Sequence, residues 1–387
     1  MHKLFSVDDH VLEPPTTWSS RVSAKYKDRA PHLEWRDGAQ VWVYEDIVDP
    51  TLGVLAVAGR PQEDWGIDQV SFEEMIPGCY DPQARAADMY SNGILASLSF
   101  PTLPGFGGRK FAQLEDKDLA LECVKAWNDF ILDEWCPGAP DLLVPMTMTP
   151  LWDIDLVVAE VERCLAKGTK ALTFVEDPAK MGLPGYFTNY WDPLMALVQE
   201  AGIPLCMHMG SGGSGSIDEG SHPVVQFAVS TFTMAAVCAT NLMCSPTARN
   251  FPDVKYVWSE SGIGWVSSAL ERVDGQWARH RMWNDLPDFR PSDVAKRSFY
   301  FSIIDEPIGF KSVTDWDPDL EHVMWETDYP HAETPWPHTQ KHIDEMFPDL
   351  SDKDLAKVTY SNAEKVFNWK LVTPTADQLP AGVSLPA

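Results

Sequence analysis

Short apolar segments recur along the chain, and their alternation with longer amphipathic segments constrains the fold more than any other feature. Each segment is apolar at nearly every position rather than at every second position. That pattern is typical of strands buried on both faces of a parallel sheet. We therefore predict eight strands, at Leu4–Val7, Ile94–Phe100, Leu142–Met146, Ala171–Val175, Ile203–Met207, Val254–Trp258, Phe299–Ile303 and Val323–Trp325.

The segments between these strands have the periodicity of amphipathic helices. Gly168 and Gly202 follow two of them, at the position where a helix usually ends. Eight strands that alternate with helices favour an α/β fold of the (β/α)8 TIM-barrel type over an open sheet. The predicted helices are Gln83–Asn92, Asp118–Trp135, Asp155–Lys167, Asp192–Ala201, His222–Leu242, Trp265–Trp283 and Thr339–Met346.

Three stretches fall outside this alternation. Residues 14–80 are rich in Pro, Trp and charge, with strand character at Gln40–Tyr44, and we interpret them as a long insertion after strand one that caps the barrel mouth. The Gly- and Ser-rich segment Gly210–Gly220 predicts a mobile loop at that mouth. The chain is thus expected to form one barrel domain over residues 1–370. Residues 371–387 would form a C-terminal arm that packs on a neighbour or stays disordered.

The charge balance excludes several classes of function. With 30 Lys and Arg against 57 Asp and Glu, the net charge is -27, which repels phosphate backbones and anionic lipid headgroups. We therefore expect a small-molecule substrate, with no nucleic-acid partner and no membrane partner. Seven cysteines without a CxxC pair are typical of reduced thiols, so we expect a cytoplasmic protein.

Polar residues follow the predicted strands, and in a TIM barrel the carboxyl ends of the strands carry the chemistry. Asp8 and His10 lie two residues apart on strand one, so their side chains point the same way. Together with ligands from other strands they form a mixed nitrogen and oxygen set suited to Zn²⁺, Mn²⁺ or Fe²⁺. The remaining candidates at strand ends are Glu176, His208, Ser259-Glu260, Asp328 and His331.

Five segments occur in an order that resembles the amidohydrolase-2 family, the branch of the metal-dependent amidohydrolase superfamily that includes aminocarboxymuconate semialdehyde decarboxylase and resorcylate-type decarboxylases. They are VDDHVLEPP, YDPQARAADMYSNGILASLSFPTLPGF, HMGSGG, SESGIGW with LERVD, and ETDYPHAETPWP. The resemblance extends from residue 3 to residue 370. It implies the barrel fold and a metal site, and it is a poor guide to the substrate.

The resemblance also implies roles for individual residues. Asp8 and His10 match the first-strand ligand pair, His208 matches the fifth-strand ligand, and Asp328 matches the Asp that holds the metal and moves the proton of its bound water. The chain departs from the decarboxylase pattern at Ser259-Glu260, where those enzymes have a His. Some of them also contact the substrate carboxylate through an Arg, for which Arg60 and Arg109 are candidates here.

Dinuclear members of the superfamily bridge two metals with a carboxylate after strand four, the position of Glu176. Glu176, Glu260 and His331 would then hold a second ion, because carboxylates crowded into one cleft repel each other unless cations neutralise them. Alternatively, Glu176 and Glu260 orient His10 and His208 by hydrogen bonding. The sequence therefore predicts one or two divalent ions per chain, with zinc favoured and manganese or iron left open.

Three reactions are compatible with such a site. In the leading hypothesis the protein hydrolyses an amide, ester or lactone: Asp328 accepts the proton of metal-bound water, and Glu260 or His331 holds the oxyanion or leaving group. An alternative is a subunit of a dinuclear iron or manganese oxygenase such as a 2-aminoisobutyrate hydroxylase, catalytic or zinc-holding. A further alternative is non-oxidative decarboxylation of a small carboxylic acid. We expect a homodimer, or a hetero-oligomer with a paralogous amidohydrolase chain.

Other polar residues are predicted to be structural. Arg85 and Asp88 lie three residues apart on one predicted helix, which suggests a surface ion pair. Asp9 and Glu13 are expected to bond backbone groups near strand one.

Overall fold

A computed structural model of the chain describes residues 1–213, 223–283 and 287–386. Its strands are β1 (Leu4–Val11), β2 (His32–Arg36), β3 (Ala39–Tyr44), β4 (Ile47–Pro50), β5 (Ile94–Pro101), β6 (Leu143–Val144), β7 (Met146–Thr147), β8 (Ala171–Phe174), β9 (Leu205–His208), β10 (Tyr256–Ser259), β11 (Phe299–Ile303) and β12 (Val323–Trp325). Its longer helices agree with the predicted ones. Residues 214–220 of the predicted mobile loop, and the predicted helix start at 222, lie outside the described residues.

The helices cover the outside of the barrel and connect its strands. They are α1 (Thr16–Ser19), α2 (Pro82–Ser91), α3 (Arg109–Ala112), α4 (Lys117–Phe130), α5 (Cys136–Gly138), α6 (Ile154–Lys167), α7 (Asp192–Ala201), α8 (Pro223–Met243), α9 (Pro246–Asn250), α10 (Val266–His280), α11 (Pro291–Ser298), α12 (Pro307–Lys311), α13 (Thr339–Met346), α14 (Asp352–Ala356) and α15 (Asn362–Phe367). Among the described helices, none has the length and apolar character that crossing a membrane requires.

The barrel strands pair in parallel around a ring. One ladder joins β1, β5 and β6, and a second joins β7, β8, β9, β10, β11 and β12 in that order. Pro145 separates β6 from β7 because it has no N–H to donate to a ladder. If β6 and β7 are taken as one interrupted strand, the described residues contain eight barrel strands in chain order.

The chain that leaves β12 closes the ring against β1. The backbone N–H of Asp328 donates to the carbonyl oxygen of Asp8 at 2.8 Å. The backbone N–H of His10 donates to the carbonyl oxygen of Tyr329 at 2.7 Å. These bonds join the first and last strands at their carboxyl ends. The predicted (β/α)8 barrel is confirmed.

Apolar side chains fill the barrel interior, and polar ones replace them at its carboxyl end. Cys206, Val257 and Met324 belong to the interior cluster. Because side chains alternate along a strand, the residues two positions further on, His208, Ser259 and Glu326, extend the same inward rows. The rows therefore end in groups that can bind and react. A larger apolar cluster, which includes Trp258 and Trp325, packs between the strands and the helices.

The insertion over residues 14–80 contains an antiparallel sheet of β2, β3 and β4. The predicted strand at Gln40–Tyr44 lies within β3. Backbone bonds hold the insertion to the barrel, from Leu12 N–H to Cys79 O at 3.0 Å and from Val57 N–H to Pro330 O at 2.9 Å. The second bond places residue 57 beside the chain that follows β12. The capping role and the domain boundaries stay predictions.

The C-terminal segment lies against the body of its own chain. Leu371, Leu379, Val383 and Leu385 are partly buried and pack against the main apolar cluster. The contacts give this segment a fixed place along the fold. The prediction that it packs on a neighbouring molecule is untested.

Candidate metal centre

Two groups of buried donors meet at the carboxyl end of the barrel. Each residue contributes one ligand atom, and within a group these atoms all lie within 4.8 Å of one another. The first group contains Asp8, His10, His208 and Glu260, and the second contains His10, Asp328 and His331. Six of the seven predicted ligands are therefore brought together, and His10 belongs to both groups.

The first group is centred on two imidazole nitrogens. The Nε2 atoms of His10 and His208 lie 3.2 Å apart. Each also lies 3.5 Å from an oxygen of the Asp8 carboxylate. Glu260 approaches from the next strand, with its Oε2 atom 2.9 Å from Nε2 of His208. Glu260, one of the two residues at which the sequence departs from the decarboxylase pattern, thus belongs to this donor group.

The second group is centred on the Asp328 carboxylate. Its Oδ1 atom lies 3.3 Å from Nε2 of His10 and 3.2 Å from Nδ1 of His331. The rings of His10 and His331 are stacked, with their centroids 3.6 Å apart. Asp328 can therefore exchange a proton with His331 while it faces the shared donor His10.

The buried donors lack hydrogen-bond partners, and this observation tests whether they fit a metal. Asp8 is 0% exposed and Asp328 is 1% exposed. Within the described residues, neither carboxylate oxygen of Asp8 or of Asp328 has a hydrogen-bond partner. A buried carboxylate without compensation is costly, and a divalent cation supplies that compensation. Imidazole nitrogens with carboxylate oxygens form a suitable set for a divalent metal ion.

The electrostatics of the site agree with this fit. Burial raises the pKa of Asp8 well above its usual value, and Glu326, Glu260 and Asp328 raise it further. Burial, with repulsion from Asp328, also raises the pKa of Glu260. Such crowded acids ionise more readily when a cation lies among them.

The two His residues respond in opposite directions. Burial lowers the pKa of His10 well below its usual value, and His331 and His208 add to that effect. Burial is the largest effect on His208 and opposes its charged form too, but the Glu260 carboxylate, the Met209 carbonyl and Asp328 together outweigh it and raise the pKa of His208 overall. A neutral His10 has a free ring nitrogen to offer a metal.

Local backbone geometry aims two of the donors into the barrel. Glu260 and Asp328 follow β10 and β12 in left-handed conformations, with φ of 49° and 48°. The alternation predicted for strand one also holds. Asp9 points away from Asp8 and His10, accepting hydrogen bonds from Ser97 Oγ and from Tyr329 N–H.

Phe106 forms one wall of the centre. Its ring stacks on that of His208, with the centroids 3.7 Å apart and the planes 8° apart. Gly107 follows in a left-handed conformation with φ of 64°. A Cβ atom there would lie 2.9 Å from the carbonyl carbon of Phe174, so only Gly lets this segment press onto the end of β8.

Glu176 belongs to neither donor group, so the structure does not support the predicted bridging position. Its Oε2 atom instead accepts hydrogen bonds from Gly212 N–H at 2.6 Å and Ser211 Oγ at 3.3 Å. Burial raises the pKa of Glu176 to about 7. Glu176 ties the segment after His208 to the end of β8, which is a positioning role close to the alternative prediction.

The two candidate Arg residues are held differently. Arg109 donates from Nη1 to the carbonyl oxygen of Gly210 at 2.7 Å, two residues after His208. Arg60 donates from Nη2 to the carbonyl oxygen of Asp64 within the insertion at 2.9 Å. Arg109 is therefore the candidate that lies beside the donor cluster.

The predicted surface ion pair of Arg85 and Asp88 is wrong. Arg85 is 0% exposed and donates to the carbonyl oxygens of His10 at 2.6 Å and Gly78 at 2.7 Å. Asp88 accepts from the Tyr329 hydroxyl at 2.6 Å. Tertiary contacts turn this face of α2 inward, and Arg85 braces the end of β1.

A cavity of about 460 Å³ opens beside Glu260. It combines apolar and acidic side chains, and no Lys or Arg is among its described lining residues: Met209, Phe232, Ser302, Ile303, Ile304, Glu260, Asp305, Glu306, Glu326 and Glu333. Burial and the charge of Glu260 raise the pKa of Glu333 to about 8. Neither Glu326 nor Glu333 is among the site residues predicted from the sequence, although the two-residue alternation from the buried Met324 indicates that Glu326 points inward.

The model of the amidohydrolase family matches residues 74–369, which is most of the chain. The chain belongs to the amidohydrolase family. The resemblance noted in the sequence is confirmed, and this amidohydrolase is an enzyme.

A curated relative of this amidohydrolase is the gamma-resorcylate decarboxylase of a Rhizobium species. The two are 25% identical over 277 residues, which cover 66% of this chain and 78% of the relative.

Solved structures show the same fold. An amidohydrolase from Mycobacterium avium subsp. paratuberculosis is 18% identical with a TM-score of 0.73, and the match covers 95% of this chain and 99% of that one. A dihydroxybenzoic acid decarboxylase from a Polaromonas species, with bound manganese, is 16% identical with a TM-score of 0.60 and coverage of 95% and 97%. The family match and the buried donor groups support a divalent metal for this amidohydrolase, and they do not specifically favour zinc.

Proposed function

We propose that this amidohydrolase is a metal-dependent, non-oxidative decarboxylase of a small carboxylic acid that carries hydroxyl or amino groups. The observation that carries the proposal is the buried donor set of Asp8, His10, His208 and Asp328, in which the carboxylate oxygens of Asp8 and Asp328 have no hydrogen-bond partner among the described residues. The curated decarboxylase relative supports the reaction type.

A divalent ion held by Asp8, His10, His208 and Asp328 supplies Lewis acidity toward an anionic substrate oxygen. In the reaction, the bond between the substrate carbon and its carboxylate breaks, CO₂ leaves, and the carbon gains a proton. Asp328 is suited to deliver that proton, because its Oδ1 atom lies 3.2 Å from Nδ1 of His331, which can replace it.

The surroundings of the cluster support this substrate class. Arg109 lies on the chain segment after His208 and supplies positive charge near the centre, where a substrate carboxylate would sit. In the adjoining cavity, Phe232 and Ile304 offer apolar contact, and the carboxylates of Glu306 and Glu333 can accept hydrogen bonds from hydroxyl or amino groups. A second substrate carboxylate would be repelled there.

The metal we propose is manganese or zinc, one ion per chain. Nitrogen and oxygen donors suit both, and the Polaromonas decarboxylase has bound manganese.

Hydrolysis remains a second candidate because of Glu260. This carboxylate lies 2.9 Å from Nε2 of His208, at a position where the decarboxylase pattern has a His. Glu260 adds a fourth ligand to the first donor group, which shares His10 with the second group. Two such groups would allow a second ion and a bound water. The oxygenase alternative, the homodimer or hetero-oligomer and the cytoplasmic location stay predictions.

A direct assay distinguishes the two reactions. The protein is treated with chelator, reloaded with Mn²⁺ or Zn²⁺, and incubated with mono- and dihydroxybenzoates, aminobenzoates, and aryl esters and lactones. Metal-dependent release of CO₂ with formation of the decarboxylated ring supports the proposal. Ester or lactone cleavage without CO₂ release from any acid would replace it with hydrolysis.

A further inference from the structure

Glu260 reaches the donor cluster only through an unusual backbone conformation. It follows β10 with φ of 49°, a left-handed conformation that costs a non-Gly residue about 1–2 kcal/mol. In this conformation its Oε2 atom lies 2.9 Å from Nε2 of His208. Something in the surrounding structure must hold the residue there.

The N–H of Glu260 faces acceptors from two other barrel strands. It lies 3.2 Å from both carboxylate oxygens of Glu326 and 3.2 Å from the hydroxyl of Ser302. Ser302 in turn donates to the carbonyl oxygen of Trp258, within β10. The turn after β10 is therefore bonded to residues from β11 and from the end of β12.

Glu326 is 2% exposed, yet it belongs to neither donor group in the described part of the chain. A buried carboxylate that held no ligand and no partner would only destabilise the fold. Here its oxygens face the Glu260 N–H, so the carboxylate has a defined partner.

We propose that Glu326 is a positioning residue that accepts the Glu260 N–H and thereby holds the Glu260 side chain against His208, completing the donor set from strand six. The inference rests on the proposed metal-dependent function, but it concerns metal binding and not the reaction. Holding Glu260 in place requires an acceptor oxygen at position 326 and not a negative charge.

The test is cobalt binding to the full-length, chelator-treated protein, followed by the visible absorption spectrum of bound Co²⁺. Glu326→Met removes the carboxylate acceptor and leaves the Ser302 hydroxyl as the other acceptor of this N–H. We expect it to weaken Co²⁺ affinity by about 10–100-fold and to shift the spectrum toward that of Glu260→Ala. Glu326→Gln keeps an acceptor oxygen and should stay within about threefold of the unchanged protein, since outer contacts that persist cost little affinity.

Two controls make the result specific. Glu306 lines the same cavity and accepts a backbone N–H, that of Ile263 at 2.6 Å, but it does not bond Glu260. Glu306→Met should therefore leave the Co²⁺ spectrum unchanged. In a Glu260→Ala background, Glu326→Met should cause no further loss of Co²⁺ affinity, because a positioning residue acts only through its partner.

Three outcomes would overturn the proposal: equal loss of affinity in the Gln and Met variants, additive losses with Glu260→Ala, or normal Co²⁺ binding by Glu326→Met. If the Met variant fails to fold, the Gln variant decides alone, with retained affinity supporting the proposal and lost affinity rejecting it. A protein that shows this pattern and releases no CO₂ would refute the decarboxylase proposal and leave the role of Glu326 standing.

Discussion

Asp328 lies in the second donor group, beside His10, which belongs to both groups. It lies within 3.3 Å of both His10 and His331, and no hydrogen bond from the described residues engages its carboxylate. A carboxylate with this geometry can hold a metal and carry a proton, because one oxygen can face the ion while the proton moves to His331. The chemistry at the residue scale therefore depends on a small number of buried, unpartnered oxygens.

Asp328→Asn tests this role directly. The amide has the same shape but cannot accept and return a proton, so we expect the fold to persist and kcat to fall about 10²–10⁴-fold. Turnover and thermal unfolding are measured together. The control is Asp344→Asn, at a carboxylate that is 69% exposed and bonds His2. Near-normal turnover of Asp328→Asn would contradict the assignment.

Arg109 tests how the substrate is held. Loss of a charge-assisted hydrogen bond costs about 1.5–3 kcal/mol, so Arg109→Ala should raise KM about tenfold or more, with a smaller change in kcat. Arg60→Ala is the comparison, because Arg60 bonds the carbonyl oxygen of Asp64 inside the insertion. The assignment fails if KM rises in Arg60→Ala and not in Arg109→Ala.

At the scale of secondary-structure elements, strand ends determine where the donors lie. Each inward row changes from apolar to polar at its last position, as in Cys206 followed two residues later by His208. The left-handed residues Glu260 and Asp328 then turn the chain after β10 and β12. The segment of Phe106 and Gly107 closes the site from the side of β8.

Gly107→Ala tests this packing. The new Cβ atom would lie 2.8 Å from Val175 Cγ1 and 2.9 Å from the Phe174 carbonyl carbon. Left-handed strain and overpacking together should destabilise the protein by about 2–4 kcal/mol and lower activity, because Phe106 must move off His208. Urea unfolding measures the loss. Gly182→Ala is the control, since Gly182 has φ of 77° and open space around it, so its strain alone costs about 1–2 kcal/mol. Equal losses in the two variants would show that the contact with β8 is unimportant.

At the scale of the whole molecule, the dominant feature is a set of buried Asp and Glu carboxyl groups in a chain of net charge -27. Burial raises the pKa of Asp9, Glu13 and Glu176 to about 7, and that of Glu333 to about 8. In the unfolded chain these groups lose their protons near pH 4. The metal-free fold therefore binds more protons than the unfolded chain between about pH 4 and pH 8, and its stability falls as pH rises.

This linkage predicts how metal removal acts. After chelator treatment, the unfolding temperature should be lower at pH 8 than at pH 6. Saturating Mn²⁺ should raise it at both pH values and more strongly at pH 8, because the ion binds ionised ligands and favours the folded state. Differential scanning calorimetry with and without Mn²⁺ makes the measurement. A metal-free protein that becomes more stable from pH 6 to pH 8 would contradict the raised pKa values.

Truncation after Lys370 tests the C-terminal arm. It removes four partly buried apolar residues, Leu371, Leu379, Val383 and Leu385. At about 25 cal/mol per Å² of apolar surface, we expect a loss of about 2–5 kcal/mol in urea unfolding. Asp377→Ala, at an exposed position in the same arm, should leave stability unchanged. Unchanged stability of the truncated chain with an altered oligomeric state would instead show that the arm packs on a neighbour.

The barrel and most of the donors could be predicted from the amino-acid sequence. Strand positions followed from continuous apolar runs, because a strand buried on both faces must be apolar at every position. Asp8, His10, His208 and Asp328 followed from their places at strand ends, since a barrel brings those ends together. All four lie in the cluster.

The contacts among these residues could not be predicted from the sequence and are visible in the folded chain. The tertiary structure separated Glu176 from the donors, buried Arg85 beneath His10, placed Arg109 beside Gly210 and set Glu326 against the Glu260 N–H. These relations join residues far apart in sequence, whose distances depend on how strands and loops pack. Local periodicity determines which face a residue is on, whereas the partner that it meets there is decided by the closure of the whole barrel.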